Sequence, residues 1–434
     1  MTEKFRPRLH FTPSVGWMND PNGMIRSAGY WHLFFQYDPD SITHGPMHWG
    51  HARSRDLTTW EELPVALYPD DLGTCFSGSA VETPEGEVKL FYTSHRLDGE
   101  GRDFQQQCLV HADLGAGTFD KDPGNPVIPN PGLVAFRDPK VIRIDAGWVM
   151  LVTEGQTVGF YGSDDLRTWR HLSSFGEGEG RHSDEPWECP DLVPLTAPDG
   201  SEVWMLIIGV NPGAYAEGSG TQYFLGQFDG LRFENLNPPE TELWLDHGRD
   251  YYAAQTFFER DPSGPPVAIG WASNWRYAKQ TPTEAFRGVM SLPRALQLVE
   301  TQDGLRVAAS LPDEVRKAVI GSDDPAVQLA ETTIELGERQ VLSVTLFGEA
   351  EPQFMIERPA PDRVRVRTLR PEDPTLPTFG HDYDVTSPWS GPLPVMVLMD
   401  HGLVELCAGD GRLWLTNLFY PDAPEASARF DVWG

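Results

Sequence analysis

Ser54-Arg55-Asp56-Leu57-Thr58-Thr59-Trp60 recurs 109 residues later as Ser163-Asp164-Asp165-Leu166-Arg167-Thr168-Trp169. In both copies the shared pattern, Ser-x-Asp-Leu-x-Thr-Trp, follows an apolar strand. Its Asp can close an Asx turn while Leu and Trp pack inward, which places each copy at the corner between the third and fourth strands of a sheet. A separation of two ~50-residue units is what a propeller of four-stranded blades would give. Outward from these corners, from about Leu9 to about Val299, the chain keeps one texture of short apolar or aromatic strands divided by Gly, Pro or Asp turns. That length makes about five blades. With 42 Gly, 38 Pro, 14 Trp and 22 Phe, the composition suits many short strands better than long helices.

After Pro312 the texture changes. Asp313 to Ile320 reads as a short helix, with Gly321 to Pro325 as a break. Alternating strands follow, among them Val341 to Phe347, Phe354 to Glu357, Val364 to Arg367, Val395 to Met399, Leu403 to Cys407 and Leu413 to Leu418. Their spacing suggests a β-sandwich, with the Pro-rich stretch from Pro371 to Pro377 as an internal loop. The expected organisation is all-β: a five-bladed β-propeller over residues 1–310, a linker helix over 311–321 and a C-terminal β-sandwich over 322–434.

The 434 residues carry 34 Lys plus Arg against 64 Asp plus Glu, a formal charge of −30. Such a surface repels polyanions and anionic lipid, so nucleic acid and membrane are not expected partners and a neutral small molecule is. No apolar stretch follows the polar run from Met1 to Arg8, and a cytoplasmic location is the expectation. Cys75, Cys108, Cys189 and Cys407 are scattered without zinc, redox or disulfide spacing and are expected as reduced thiols.

Three acids stand in braced surroundings. Asp20 lies in Trp17-Met18-Asn19-Asp20-Pro21-Asn22-Gly23, where Pro21 holds it extended while Asn22 and Gly23 tolerate a left-handed backbone. The chain is therefore expected to reverse just after the carboxylate. Asp138 sits between Arg137 and Pro139, and Arg137 is expected to keep it ionised and able to accept hydrogen bonds. Glu188 follows Asp184-Glu185-Pro186-Trp187, an acidic loop ending in an aromatic, surroundings that suit a proton donor. Asp20 and Glu188 could be the two carboxyls of glycoside hydrolysis, nucleophile and acid; taken singly, Asp20 reads equally as an ordinary Asp-Pro-Asn-Gly turn, Arg137-Asp138 as a surface ion pair and Glu188 as part of a solvated acidic loop. Gln36, Trp49, Phe76 with Ser77, and Trp275 after Asn274 add the amides and rings of a sugar site. His44, His48 and His51 invite a metal reading, but Gly45, Pro46 and Gly50 prevent one helical face and no carboxylate or Cys stands at ligand spacing. Neither a P-loop nor a dinucleotide fingerprint is evident, and no metal or cofactor is expected.

These stretches resemble glycoside hydrolase family 32, the β-fructofuranosidases that include invertases, exo-inulinases and levanases. The resemblance runs through Trp17 to Gly23, Phe34 to Pro39, Trp49 to Ala52 with Ser54 to Trp60, Phe76 to Ala80, Arg137 to Val141, Glu188 to Leu192, Asp250 to Gln255, Gly270 to Trp275 and Met290 to Arg294. It implies a five-bladed propeller followed by a sandwich. It also implies Asp20 as nucleophile, Glu188 as acid/base and Asp138 as transition-state stabiliser, with Asn19, Gln36, Ser77, Arg137 and Trp275 lining a fructose subsite. His44 stands where many relatives have Trp, so one wall of the mouth is expected to be more polar.

The implied activity is release of terminal β-fructofuranosyl units from sucrose and short fructo-oligosaccharides by double displacement. Ser273 to Tyr277, with Pro282 and Thr283, look more like exo-inulinases and levanases than like sucrose-6-phosphate hydrolases. A fructosyltransferase would use the same acids with a sugar as acceptor, and an inactive carbohydrate-binding propeller is the alternative outside catalysis. Neither composition nor motif indicates an oligomeric state.

Overall fold

The computed structural model describes residues 3–434. Among the described residues five sheets, largely antiparallel, precede the one α-helix, Asp313–Ile320, and two follow it. The first sheet is built on Gly16–Ser27, Tyr30–Asp38, His48–Ser54 and Trp60–Leu67, and the second on Thr74–Glu82, Val88–Leu97, Asp103–Asp113 and Thr118–Lys121. Phe136–Ile144, Glu188–Thr196 and Tyr252–Thr256 open the third, fourth and fifth. These five opening strands touch in chain order and the fifth returns to the first, which makes the sheets the blades of a propeller. Phe258–Glu259 and Phe286–Arg287, from the fifth-blade region, pair in parallel with Gly16–Ser27 and close the ring.

Both copies of the repeat turn the corner between a third and a fourth strand. Asp56 Oδ1 accepts the backbone N–H groups of Thr58 and Thr59 at 2.9 and 2.6 Å, and Asp165 Oδ1 those of Arg167 and Thr168 at 2.9 and 2.7 Å. The buried leucines between them, Leu57 and Leu166, are left-handed, with φ of 66° and 64°. The strain at each Leu is held by the Asx bonds and the buried side chain together.

Val315 and Val319, one turn apart on the helix, are buried against Phe257, Ile269 and Leu292 of the propeller and Val327 and Leu398 of the sandwich. The two sandwich sheets run in the orders Val327–Ile334, Leu393–Asp400, Leu403–Ala408, Leu413–Leu418 and Tyr383–Pro388, Arg363–Thr368, Phe354–Ala360, Val341–Leu346, Ala428–Trp433. Their inner faces share one core of Leu, Val, Ile and Phe. Charged groups are buried along the seam with the propeller. His10 Nδ1 lies 2.7 Å from Asp400 Oδ2 and its Nε2 3.4 Å from Glu405 Oε1, while Arg294 pairs with Asp246 at 2.7 Å and Glu405 at 3.1 Å.

One local expectation is corrected. Gly16–Ser27 is a continuous strand, and the chain does not reverse after Asp20. The left-handed Gly23 (φ 51°) instead forms part of a bulged stretch, with register shifts between Met18 and Pro21 and between Asn22 and Ile25. A Cβ at Gly23 would lie 2.7 Å from the Trp49 ring and 2.9 Å from that of Phe34, so glycine lets the bulge pack onto the blade.

Candidate active site

Every opening strand contributes to one site near its start: Asp20 from the first blade, Ser77 from the second, Arg137 and Asp138 from the third, Glu188 and Cys189 from the fourth, Tyr252 from the fifth. At each of these places the pairing register with the second strand slips. A bulge turns a residue out of the alternating pattern, so five slips aim five sets of side chains at one end of the axis. Further along the same strands, Lys140 Nζ donates to Asp191 Oδ2 and to the Thr256 carbonyl, both at 2.9 Å, and these buried groups plug the axis.

Asp20 accepts from the Ser77 hydroxyl at 2.7 Å, the Asn19 amide at 3.1 Å and the Cys189 thiol at 3.4 Å. Asn19 is oriented by the Trp17 indole N–H at 2.7 Å. With its amide oxygen toward Gln36, Asn22 accepts from the Gln36 backbone and side chain at 3.0 Å and donates to Ser77 Oγ at 3.3 Å. Asp138 is left-handed (φ 64°), its N–H donating to Thr93 Oγ1 at 2.9 Å and its Oδ2 accepting from the Cys189 N–H at 2.8 Å. Glu188 accepts from Arg137 at 3.0 Å on Oε1 and from the Tyr252 hydroxyl on Oε2.

Burial pushes the Asp20 carboxyl up, helped by the charge of Glu188 and opposed by its three donors. Burial likewise lifts Asp138 to about 7; Arg137 opposes this, while Glu188 and Asp20 reinforce it. Arg137 therefore does not simply hold Asp138 ionised. Its Nε lies 3.8 Å from Asp138, and its direct hydrogen bond goes to Glu188. The surroundings of Glu188 also differ from those expected. Asp184 and Glu185 face solvent, and Trp187 turns away to stack on His182 at 4.6 Å, because neighbouring residues of an extended chain point to opposite sides.

His44, Phe76 and Trp275 are the partly exposed rings of the mouth, with Phe76 and Trp275 packed on a buried cluster that holds Trp17 and Trp271. Trp17 stacks on Trp275 at 5.7 Å, Trp271 lies 5.0 Å from Trp275, and His44 stands edge-on to Trp17, Phe76 and Trp275 at 6.2, 6.4 and 5.6 Å. Phe76 stacks on His95 at 4.1 Å. Burial and the charge of Lys279 depress His44 to about 4, so its ring is neutral near pH 7. Gln36 is nearly buried and donates to the Cys75 carbonyl at 2.9 Å. Trp49 is not part of the wall. It is wholly buried in a blade core, and its indole N–H holds the Phe76 carbonyl at 2.9 Å, which makes it a support for Phe76. The three histidines separate: His48 bonds the Pro46 carbonyl, His51 stacks on Phe34 and bonds His32, and His44 stays at the rim.

Tyr252 and Cys189 went unassigned in the sequence. Their signals were present, Cys189 beside Glu188 and Tyr252 within Asp250 to Gln255, but a phenol and a thiol in a strand acquire meaning only from the blade opposite.

Two family models match almost the whole chain, the N-terminal domain of glycosyl hydrolases family 32 over residues 10–308 and the family 32 C-terminal domain over 301–433. The chain belongs to glycosyl hydrolase family 32. It is therefore a glycoside hydrolase, and the family model boundary falls at the last propeller strand. A levanase from Bacillus subtilis is 37% identical over 97% of this chain and 67% of its own length. An invertase from Schizosaccharomyces pombe is 40% identical over 68% of this chain, which spans about half (53%) of that protein. Among solved structures, an exo-inulinase from Aspergillus awamori superposes with a TM-score of 0.83 at 30% identity, over 99% of this chain and 96% of its own. A fructofuranosidase from Schwanniomyces occidentalis complexed with fructosylnystose gives 0.81 at 26% identity, over 99% and 94%.

Proposed function

We propose that this family 32 member is a retaining exo-β-fructofuranosidase that releases terminal non-reducing β-D-fructofuranosyl units from sucrose and short fructo-oligosaccharides. The observation that carries the reading is the convergence of Asp20, Asp138 and Glu188 at one end of the propeller axis, each with a different set of donors. Asp20, an acceptor-only carboxylate gripped by Ser77, Asn19 and Cys189, is aimed as a nucleophile. Glu188, bonded by Arg137 and Tyr252, is the proton carrier.

In the first displacement Asp20 attacks C2 of the fructosyl unit, the bond from C2 to the glycosidic oxygen breaks, and Glu188 gives that oxygen its proton. In the second, Glu188 takes a proton from water, whose oxygen attacks C2. The ester bond to Asp20 breaks, and Asp20 leaves as carboxylate as fructose departs. Asp138 accepts hydrogen bonds from ring hydroxyls, contacts that tighten as the ring flattens toward an oxocarbenium ion. The buried Lys140–Asp191–Thr256 group below the acids and the aromatic rings beside them support exo action, because a site closed on these sides receives a chain end more readily than a chain interior. The names of the levanase, invertase and exo-inulinase relatives support a fructoside substrate. Four buried free thiols suit the reducing cytoplasm, the location we propose with this activity.

The test is incubation with sucrose, 1-kestose, inulin, levan and sucrose 6-phosphate, separating free fructose from longer products and following the anomeric form first released. Free β-fructofuranose from the first two substrates is expected. Longer products as the main outcome would reassign the chain as a fructosyltransferase, and no reaction with any fructoside would leave a carbohydrate-binding propeller.

A further inference from the structure

We infer that Arg370, a residue of the sandwich, is a positioning residue for the acid/base side of the propeller pocket. This rests on the reading of Glu188 as the proton carrier. Arg370 follows the strand Arg363–Thr368 and is fully buried. Its backbone N–H is fixed by Asp382 Oδ1 at 3.0 Å, and its guanidinium lies over the Phe379 ring, 3.5 Å from the centroid. From there it crosses the seam and donates to Asp250 Oδ2 at 2.8 Å.

Asp250 is the branch point. The same Oδ2 accepts the Leu418 N–H of the sandwich at 2.8 Å, and Oδ1 accepts the Tyr277 hydroxyl at 2.5 Å. The segment leading into Asp250 lies along the sandwich strand Leu413–Leu418. The His247 N–H donates to the Trp414 carbonyl at 2.7 Å and the Asp250 N–H to that of Thr416 at 3.0 Å. Gly248 permits the approach, since a Cβ there would lie 2.0 Å from the Thr416 backbone.

Two branches leave Asp250 for the pocket. Two residues on is Tyr252, whose hydroxyl bonds Glu188. The other branch runs through Tyr277, whose backbone N–H bonds the Asn274 carbonyl at 3.1 Å and closes the turn that presents Trp275 to Trp17. One buried carboxylate, neutralised from the other domain, thus fixes both the phenol on the acid/base and a wall of the mouth. The sandwich is a working part of the active site through Asp250.

The experiment compares Arg370→Met and Arg370→Lys with Tyr252→Phe, the double variant Arg370→Met/Tyr252→Phe and Glu188→Gln, reading kcat, KM, the pH profile of kcat and Tm for each on sucrose. Arg370→Met is expected to lower kcat about 10- to 100-fold, to raise KM less, and to displace the alkaline limb of the profile as Tyr252→Phe does. Arg370→Lys, which keeps the charge opposite Asp250, should recover most of kcat. In the double variant the effects on kcat and on the limb should fall short of the product of the singles, because both act on Glu188 through one path. A lowered Tm with kcat and profile intact, or fully multiplicative effects, would overturn the inference. Should Arg370→Met fail to fold, Arg370→Gln, alone and combined with Tyr252→Phe, carries the same decision. Wild-type rates in Glu188→Gln would instead remove the reading of Glu188 itself.

Discussion

The backbone N–H of Cys189 donates to Asp138 Oδ2 at 2.8 Å, and both residues sit in the left-handed region, with φ of 50° and 64°. Two adjacent blades thus bind each other between Asp138 and Glu188. Because Cys189 also follows Glu188 and turns its thiol to Asp20, one residue gauges the spacing of all three acids. Asp20→Asn and Glu188→Gln are each expected to cost sucrose turnover roughly 10²- to 10⁴-fold or more. A fructosyl fluoride separates the roles, since its leaving group needs no proton. Its formation of the fructosyl-enzyme should survive Glu188→Gln and not Asp20→Asn, and equal losses in the two variants would overturn the assignment.

The left-handed backbone makes Cys189 selective about its replacement. Cys189→Gly keeps the N–H to Asp138 and relaxes the backbone, so folding and most of kcat should survive. Cys189→Val forces a β-branched residue to positive φ and should destabilise the protein by about 1–3 kcal/mol. Burial, then the charges of Asp138, Asp20 and Glu188, push the thiol well above its ordinary range. Wild-type protein should therefore react only slowly with iodoacetamide at pH 8, and fast labelling of Cys189 in the native state would contradict this environment.

His10 makes the seam between the domains sensitive to base. Burial alone would depress it, but Asp400 and Glu405 outweigh burial and lift it to about 9 from 6.5. A group raised on folding adds stability that is complete below its unfolded value and disappears as the pH rises through the folded one. Tm should therefore fall between about pH 7 and 9.5, by a contribution on the order of 3 kcal/mol. In His10→Gln the decline should vanish from an already lowered Tm, and an unchanged decline would place its origin elsewhere.

At the rim, His44 is neutral above about pH 4 and cannot supply the acid limb of the rate profile near neutrality. Its ring stands edge-on to Trp17, Phe76 and Trp275, and on the proposed reading it faces the leaving group. His44→Phe should raise KM for sucrose about tenfold while leaving kcat near its wild-type value, the scale expected when one polar contact is lost. A kcat loss of the same size would move His44 into the proton-transfer path.

Trp49 tests the distinction between a wall and its support. Trp49→Phe preserves a ring but removes the N–H that holds the Phe76 carbonyl. It should cost about 1–3 kcal/mol of stability and raise KM through a displaced Phe76. Loss of Tm without any change in KM would show that Phe76 keeps its place unaided.

By itself the sequence showed the blade corners, the change of texture near Pro312 and three braced acids, Asp20, Asp138 and Glu188, as candidates for one site. All are written in neighbours along the chain: an Asx turn needs its Asp, a strand its alternation, and Pro21 and Pro139 restrain the residue before them. It could not say where a strand slips, because register is set by the partner strand. Only the tertiary structure decided that Asp20 lies in a bulged strand and not at a reversal, and that Arg137 bonds Glu188 as well as facing Asp138. It alone put Trp49 behind Phe76, and Tyr252 in contact with Glu188. Those relations join residues on different blades or different domains, where burial and charge act through space and sequence neighbours do not report them.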